Sequence, residues 1–268
     1  MSLLQCSKLG KRFAGLQAVD SIDLSIEKGE IVGLIGPNGA GKTTFVNLLT
    51  GELPVTSGTI TYQGHDITRM PQDKRNRLGL ARTFQVPRPF HSMTIFENVT
   101  LAARFGKGGR PNDRRSAERK AAEILERTGL YENAGASTTT LTTAGLKRLE
   151  VARALATEPD IIFLDEPLGG LNQSEAADAL KLIRSLNETG VTILFIEHII
   201  KAVSAVSHRI VVIARGQKLA EGTPAAVLAN EDVKRAYLGN ISSALERNAK
   251  RRTEESAAAH NAEGAADV

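Results

Sequence analysis

The sequence predicts an α/β fold with a mostly parallel sheet at its core. Continuous apolar runs at residues 31–35 (IVGLI), 161–164 (IIFL) and 191–196 (VTILFI) have the composition of strands buried on both faces. Between the last two runs, residues 174–189 place Ala176, Ala179, Leu180, Ile183 and Leu186 on one helical face, and Gly190 closes the stretch. A buried strand, a helix and a second buried strand in succession make a parallel crossover. With 268 residues, 41% hydrophobic and 24% charged, the chain is long enough to bury a full core and has a globular composition.

The first thirty residues read as strands, and residues 21–26 (SIDLSI) alternate polar and apolar with the period of a half-buried one. Residues 79–145 differ in character. They hold Pro87, Pro89, a glycine-rich basic segment at 106–115 and a helical pattern at 116–128. This stretch reads as a helical subdomain inserted in the sheet domain, placed at about residues 86–158. Residues 209–222 (RIVVIARGQKLAEG) form a hairpin pattern turning at Arg215-Gly216. Thr223 and Pro224 then supply a cap and a first-turn proline for a short helix. Residues 1–240 thus make the folded domain. The remaining stretch, 241–268, holds eight alanines, many charges and no aromatic, and reads as disordered or at most a loose helix.

Several function classes are disfavoured by composition. The net charge of +4 is mild for this length and gives no support to nucleic acid as a partner. The single cysteine, Cys6, excludes a disulfide framework and a cysteine-rich zinc site, and suits a reducing compartment. No apolar run approaches the roughly 20 residues that span a bilayer. The first residues lack the apolar core of a signal peptide. A soluble, cytosolic chain that reaches a membrane only through partners is expected.

Two motifs carry chemistry. Gly36-Pro37-Asn38-Gly39-Ala40-Gly41-Lys42-Thr43-Thr44 matches G-x-x-x-x-G-K-[ST] and lies between a buried strand and an apolar helix pattern (FVNLLTG). Its glycines permit dihedrals that turn successive N–H groups toward an anion. Lys42 adds a mobile cation for terminal phosphates, Thr43 offers a hydroxyl to Mg²⁺, and the helix N-terminus behind them favours negative charge. A chance glycine turn would give such a match roughly once in a hundred chains of this length, and the flanking strand and helix make chance rarer still. The second motif is IIFLDEP at 161–167. Asp165, at the end of a buried parallel strand, belongs to the edge where ligands of open α/β sheets bind, and would hold Mg²⁺ through its water shell. Glu166 points the other way and could orient or deprotonate an attacking water.

Together these residues resemble the nucleotide-binding subunits of ABC transporters, over about residues 3–240. The resemblance implies a P-loop NTPase fold with an antiparallel β subdomain at the N-terminus and a helical insertion. It also implies ATP and Mg²⁺ as cofactors. Phe13 stands where the family stacks an aromatic on adenine. Gln85, in RTFQVPRPF, matches the glutamine that contacts Mg²⁺ and signals to the membrane subunits, and His198, in FIEHII, matches the histidine that reaches the γ-phosphate. Taken singly, these three look like a packed aromatic, a solvated glutamine and a structural histidine. Their order and spacing around the two strong motifs select the functional reading.

One element departs from the family pattern. In place of LSGGQ the chain has Leu141-Thr142-Thr143-Ala144-Gly145, with the register set by the following ARAL at 152–155. Thr142 takes the serine position and keeps a hydroxyl, Gly145 takes the glutamine position, and Ala144 puts a methyl where the second glycine stands. Asn172 also occupies a place where the wider family tends to have aspartate.

The stretch RGQKLAEGTPAAVLANEDVKRAYLG at 215–239 is similar to the end of ATPases serving branched-chain amino acid importers, as are ARTFQVPRPF and KRLEVARALA. The resemblance implies a motor subunit at the cytoplasmic face of the inner membrane, moving branched-chain or other hydrophobic amino acids. Its partners would be permease subunits, a second ATPase (identical or sister chain) and, indirectly, a secreted solute-binding protein. An export ATPase, such as that of lipopolysaccharide export, is the alternative within the fold. A soluble non-transport ABC protein would carry two cassettes or a long coiled-coil insertion, and a small-molecule kinase would have no use for His198. Deleting residues 243–268 is expected to leave the melting temperature unchanged to within about 2 °C, as thermal denaturation of both lengths would show.

Overall fold

The computed structural model describes residues 2–107 and 113–237; residues 108–112, within the basic segment, and the 241–268 tail lie outside the described residues. In chain order the elements are β1 (Ser2–Phe13), β2 (Leu16–Glu27), β3 (Ile31–Ile35), α1 (Lys42–Thr50), β4 (Ser57–Tyr62), β5 (His65–Asp66), α2 (Gln72–Leu78) and β6 (Leu80–Arg82). Then follow α3 (Ile95–Arg104), α4 (Arg114–Thr128), α5 (Thr143–Ala156), β7 (Ile161–Asp165), α6 (Gln173–Glu188), β8 (Thr192–Ile196), α7 (Ile200–Val206), β9 (Arg209–Ala214), β10 (Gln217–Gly222) and α8 (Pro224–Ala229).

The core sheet has the order β10-β9-β3-β8-β7-β6, with every neighbouring pair parallel except β10-β9. A second, antiparallel sheet has the order β2-β1-β4-β5. Strands β3, β7, β8 and β9 divide their side chains by period two between apolar layers. Ile162 and Leu164 of β7 join Ile193 and Phe195 of β8 on the face covered by α3–α7, while Ile161, Phe163, Leu194 and Ile196 face α1 and the antiparallel sheet. Burial on both faces explains why these strands are continuous apolar runs.

The expected helix at 116–128 starts slightly earlier, because Asp113 caps α4 by accepting from the Ser116 N–H. The hairpin turns at Arg215 (φ 50°) and Gly216 (φ 79°) as its residues suggest. Its first strand does more than pair locally: β9 also runs parallel to β3 in the core sheet. Residues 80–82, ahead of the helical insertion placed at about 86–158, form strand β6 beside β7. Three residues are too few to show alternation, and only pairing with β7 makes them a strand.

Arg75 of α2 anchors the far end of the phosphate-loop helix. It is 1% exposed and, among the described residues, forms no ion pair. Its guanidinium instead donates to the Leu48 and Leu49 carbonyls at the end of α1 (2.8 and 2.7 Å) and to the carbonyls of Ile67, Thr68 and Met70. Carbonyls at a helix C-terminus have no partner within the helix, and a cation there also meets the negative end of the helix dipole. Burial brings the Arg75 pKa down to about 10. Arg75→Ala is expected to cost at least about 3 kcal/mol, since several buried acceptors lose their donor together. Urea unfolding would measure it.

Candidate functional site

The order β3-β8-β7 sets the carboxyl ends of three strands side by side, with Ile196 of β8 level with both Leu34 and Asp165. The phosphate loop leaves β3, the 197–198 turn leaves β8, and the acidic turn leaves β7. Residues distant in sequence thereby share one edge.

The loop is shaped by close approach. Gly41 caps α1 with φ 100°, and a Cβ there would lie 2.4 Å from the Ala18 carbonyl oxygen. A side chain is excluded on both counts. The first turn of α1 holds no acidic residue and its cap makes no side-chain bond, so N–H groups at the positive end of the helix dipole remain open to an anion. Lys42, 7% exposed, curls back so that Nζ donates to the Gly36 and Pro37 carbonyls at 2.6 and 3.0 Å. Burial lowers its pKa, against the pull of the Glu166 and Asp165 carboxylates.

The acidic side is cross-linked. Asp165 is buried, and its Oδ2 accepts from Arg82 Nη2 at 2.7 Å. The other nitrogen of the fork, Arg82 Nη1, donates to Asn47 Oδ1 at 2.5 Å and Glu52 Oε2 at 2.6 Å. Arg82 therefore ties the end of β7 to α1 and the residues just after it. Glu166 turns away from Asp165 with φ 45°, an unusual value for a residue with a side chain. Its Oε2 accepts from Gln85 Nε2 at 2.7 Å, and Oε1 lies 4.0 Å from His198 Nδ1. Beneath them Glu197 is fully buried and accepts from the N–H groups of Leu168 (2.9 Å) and His198 (3.2 Å), which fixes the turn carrying His198. Burial raises the Glu197 pKa.

Phe13, Asn38 through Thr44, Gln85, Glu166 and His198 all line one open cleft of about 790 Å³. Phe13 is 42% exposed there, with Lys11 Nζ 5.1 Å from its ring centre. Gly36 and Pro37 sit behind the loop as acceptors for Lys42. Thr142 and Gly145 are not part of this cleft. They form the exposed start of α5, where Thr142 Oγ1 accepts from the Gly145 N–H at 3.2 Å. The threonine hydroxyl thus already serves as a helix cap. Asn172 is a cap too, exchanging bonds with Glu175 at the start of α6. Asparagine and aspartate cap about equally well, so this departure keeps its structural role. Arg82, Glu197 and Lys147, whose Nζ reaches main-chain carbonyls of Gln85 and Glu166, belong to neither sequence motif. Only Glu197 had a signal, its place beside His198.

A phosphate loop, an acidic strand end and a histidine-bearing turn on one parallel sheet edge, with a helical insertion alongside, define a P-loop ATPase. The family described as ABC transporter matches residues 19–169, more than half of the chain. The chain belongs to that family, as an ATP-binding ATPase subunit. Its residues 217–240 match the family described as branched-chain amino acid ATP-binding cassette transporter. It is 43% identical over 249 residues to the high-affinity branched-chain amino acid transport ATP-binding protein LivG of Salmonella typhimurium, covering 88% of this chain and 98% of that one. It also superposes on the ADP conformation of an ATP-binding cassette of an ABC transporter, with TM-score 0.80 and 30% identity over 89% of this chain and 99% of that one. A dimeric ATP-binding cassette in a post-hydrolysis state bound to ADP and Pi is a more distant likeness, with TM-score 0.73 and 25% identity, covering 82% and 98%.

Arg82 and Asp165 have side chains 6% and 7% exposed. Arg82→Met strands the carboxylate without its counter-ion and is expected to cost about 3–5 kcal/mol in urea unfolding. Adding Asp165→Asn should restore more than half of that loss, because no buried charge then lacks a partner.

Proposed function

We propose that the chain is the motor subunit of an importer of branched-chain amino acids, with ATP held between the phosphate loop of one ATPase subunit and the start of α5 of another. The observation that supports the nucleotide site best is the gathering of Lys42, Gln85, Glu166 and His198 around a single cleft. Support for the solute is the identity to LivG along nearly its whole length, together with the matching C-terminal stretch.

In this reading the open N–H groups of the loop and Lys42 bind the β- and γ-phosphates, and Lys42 exchanges its two carbonyl acceptors for phosphate oxygens. Phe13 offers its exposed ring to adenine. The oxygens of Thr43, Gln85 and Asp165 are the hard donors that suit Mg²⁺, which would neutralise phosphate charge. Gln85 donates to Glu166 through its nitrogen, which leaves the amide oxygen for the ion. Glu166 takes the proton of an attacking water, Gln85 fixes the orientation of its carboxylate, and His198 reaches the γ-phosphate from the next strand.

Thr142 and Gly145 stand apart from the cleft on an exposed helix start, so a second subunit, identical or sister, is needed to bring that element to the nucleotide. Permease subunits dock near Gln85 at the cytoplasmic face of the membrane, and a secreted binding protein delivers the solute to them. Among the described residues no helix is long and apolar enough to cross a membrane, in keeping with work done through such partners.

Two substitutions separate binding from turnover. Glu166→Gln keeps an acceptor for Gln85 but removes the base; nucleotide affinity should hold while steady-state ATPase falls by about 10²–10⁴. Lys42→Ala should weaken ATP binding by about 1.5–3 kcal/mol, through loss of a charge-assisted bond. Equal affinities in the two variants would overturn these roles. ATP-driven uptake of leucine, isoleucine and valine by the complex reconstituted in vesicles tests the solute.

A further inference from the structure

Helix α5 carries Lys147, Glu150 and Arg153 at three-residue intervals, and each holds a main-chain group of the segment that begins at Gln85. Glu150 Oε1 accepts from the Arg88 N–H at 2.9 Å. Arg153 Nη1 donates to the Arg88 carbonyl at 2.7 Å and to Glu150 at 2.8 Å. Lys147 Nζ donates to the Gln85 carbonyl, and it reaches one element further, to the Glu166 carbonyl at 3.0 Å.

These contacts close a ring. Lys147 binds the main chain of Gln85, the Gln85 side chain binds the Glu166 carboxylate at 2.7 Å, and the Glu166 main chain returns to Lys147. Lys147 is 8% exposed, and its ammonium is placed on two carbonyls instead of in an ion pair with a described residue. Burying a cation this way is costly, so its acceptors are held firmly. Burial lowers the Lys147 pKa while Glu197, Glu166, Asp165 and Glu150 oppose the shift. The Glu166 backbone, at φ 45°, is a conformation that persists only where its surroundings impose it. The Ile196 carbonyl accepts its N–H at 3.0 Å, and its carbonyl accepts from Lys147 and, at 3.2 Å, from the Gly169 N–H.

We propose that Lys147 is a positioning residue for hydrolysis, through which the helix that begins at Thr142 holds Glu166 and Gln85 in working geometry. Lys147 stands five residues after Thr142 on the same helix, so a ligand or partner that engages the start of α5 acts on the part that also fixes Glu166. The inference rests on the reading of Glu166 as the base. It adds that the altered Leu141–Gly145 element is linked mechanically to that base within its own subunit.

The test uses the full-length chain in its transporter complex, with ATP affinity, KM and kcat measured for each variant. Lys147→Met should leave affinity and KM within about twofold and lower kcat about 10- to 100-fold, the loss expected when a reacting group is misplaced. Lys147→Arg keeps two donors and should recover kcat to within about threefold of the parent. In a Glu166→Gln background Lys147→Met should cause no further loss, because the group it positions no longer acts. Parent-like turnover in Lys147→Met overturns the proposal, as does the same fractional loss in both backgrounds, the behaviour of a structural role alone. If Lys147→Met does not fold, Lys147→Gln, which keeps one donor, replaces it in both arms with the same criteria. Near-normal turnover in Glu166→Gln alone would instead remove the reading of Glu166, and this inference with it.

Discussion

The hydrogen-bonding of β8 between β3 and β7 is the constraint on which the rest of the site depends. Parallel strands in register place their carboxyl ends at one edge, and burial of both sheet faces leaves that edge as the place where polar groups can meet a ligand. Gly33 shows how tightly β3 is held: a Cβ there would lie 2.2 Å from Val203 Cγ1 of α7. The phosphate loop inherits this rigidity. It hangs from a strand that cannot shift without disturbing two packed layers, and its helix is anchored at the far end by Arg75.

Cations buried around the nucleotide site in this structure take their partners from within the chain, although Arg82 Nε is left without one. Lys42 rests on carbonyls of its own loop, Arg82 on Asp165, Asn47 and Glu52, and Lys147 on the main chain beside Gln85 and Glu166. Unpaired buried charge would cost several kcal/mol. These internal partners therefore hold the site together. The acceptors of Lys42 are neutral carbonyls, which bind a cation more weakly than a charged oxygen would. Arg82 occupies a single Asp165 oxygen, so the carboxylate is oriented and still has acceptor capacity.

The departures from the family pattern also have a structural side. Thr142 and Asn172 start α5 and α6, and each side chain accepts an N–H of its own first turn. At these positions capping chemistry is preserved while residue identity changes. Ala144 is half-buried, in a crevice between α5 and α6 that Pro167 and Leu171 also line. Its methyl group therefore contributes packing between these helices.

What the sequence determined by itself is whatever rests on local rules. Buried strands show as apolar runs, the phosphate loop as glycines at fixed spacing before Lys42, the α8 start as Thr223-Pro224, and the hairpin turn as Arg215-Gly216. Dihedral limits, side-chain alternation and capping act over a few residues, so they can be read without knowing the fold. The family resemblance added Phe13, Gln85 and His198, which the structure brings to the same cleft. Only the tertiary structure decided that residues 80–82 are a strand, that β9 joins the core sheet, and that Arg82 meets Asp165 across 83 positions and Lys147 meets Gln85 across 62. Short strands and long charged side chains take their identity from the neighbour that sheet order provides. No local spacing encodes that neighbour, because it is selected by burying both faces of the sheet at once.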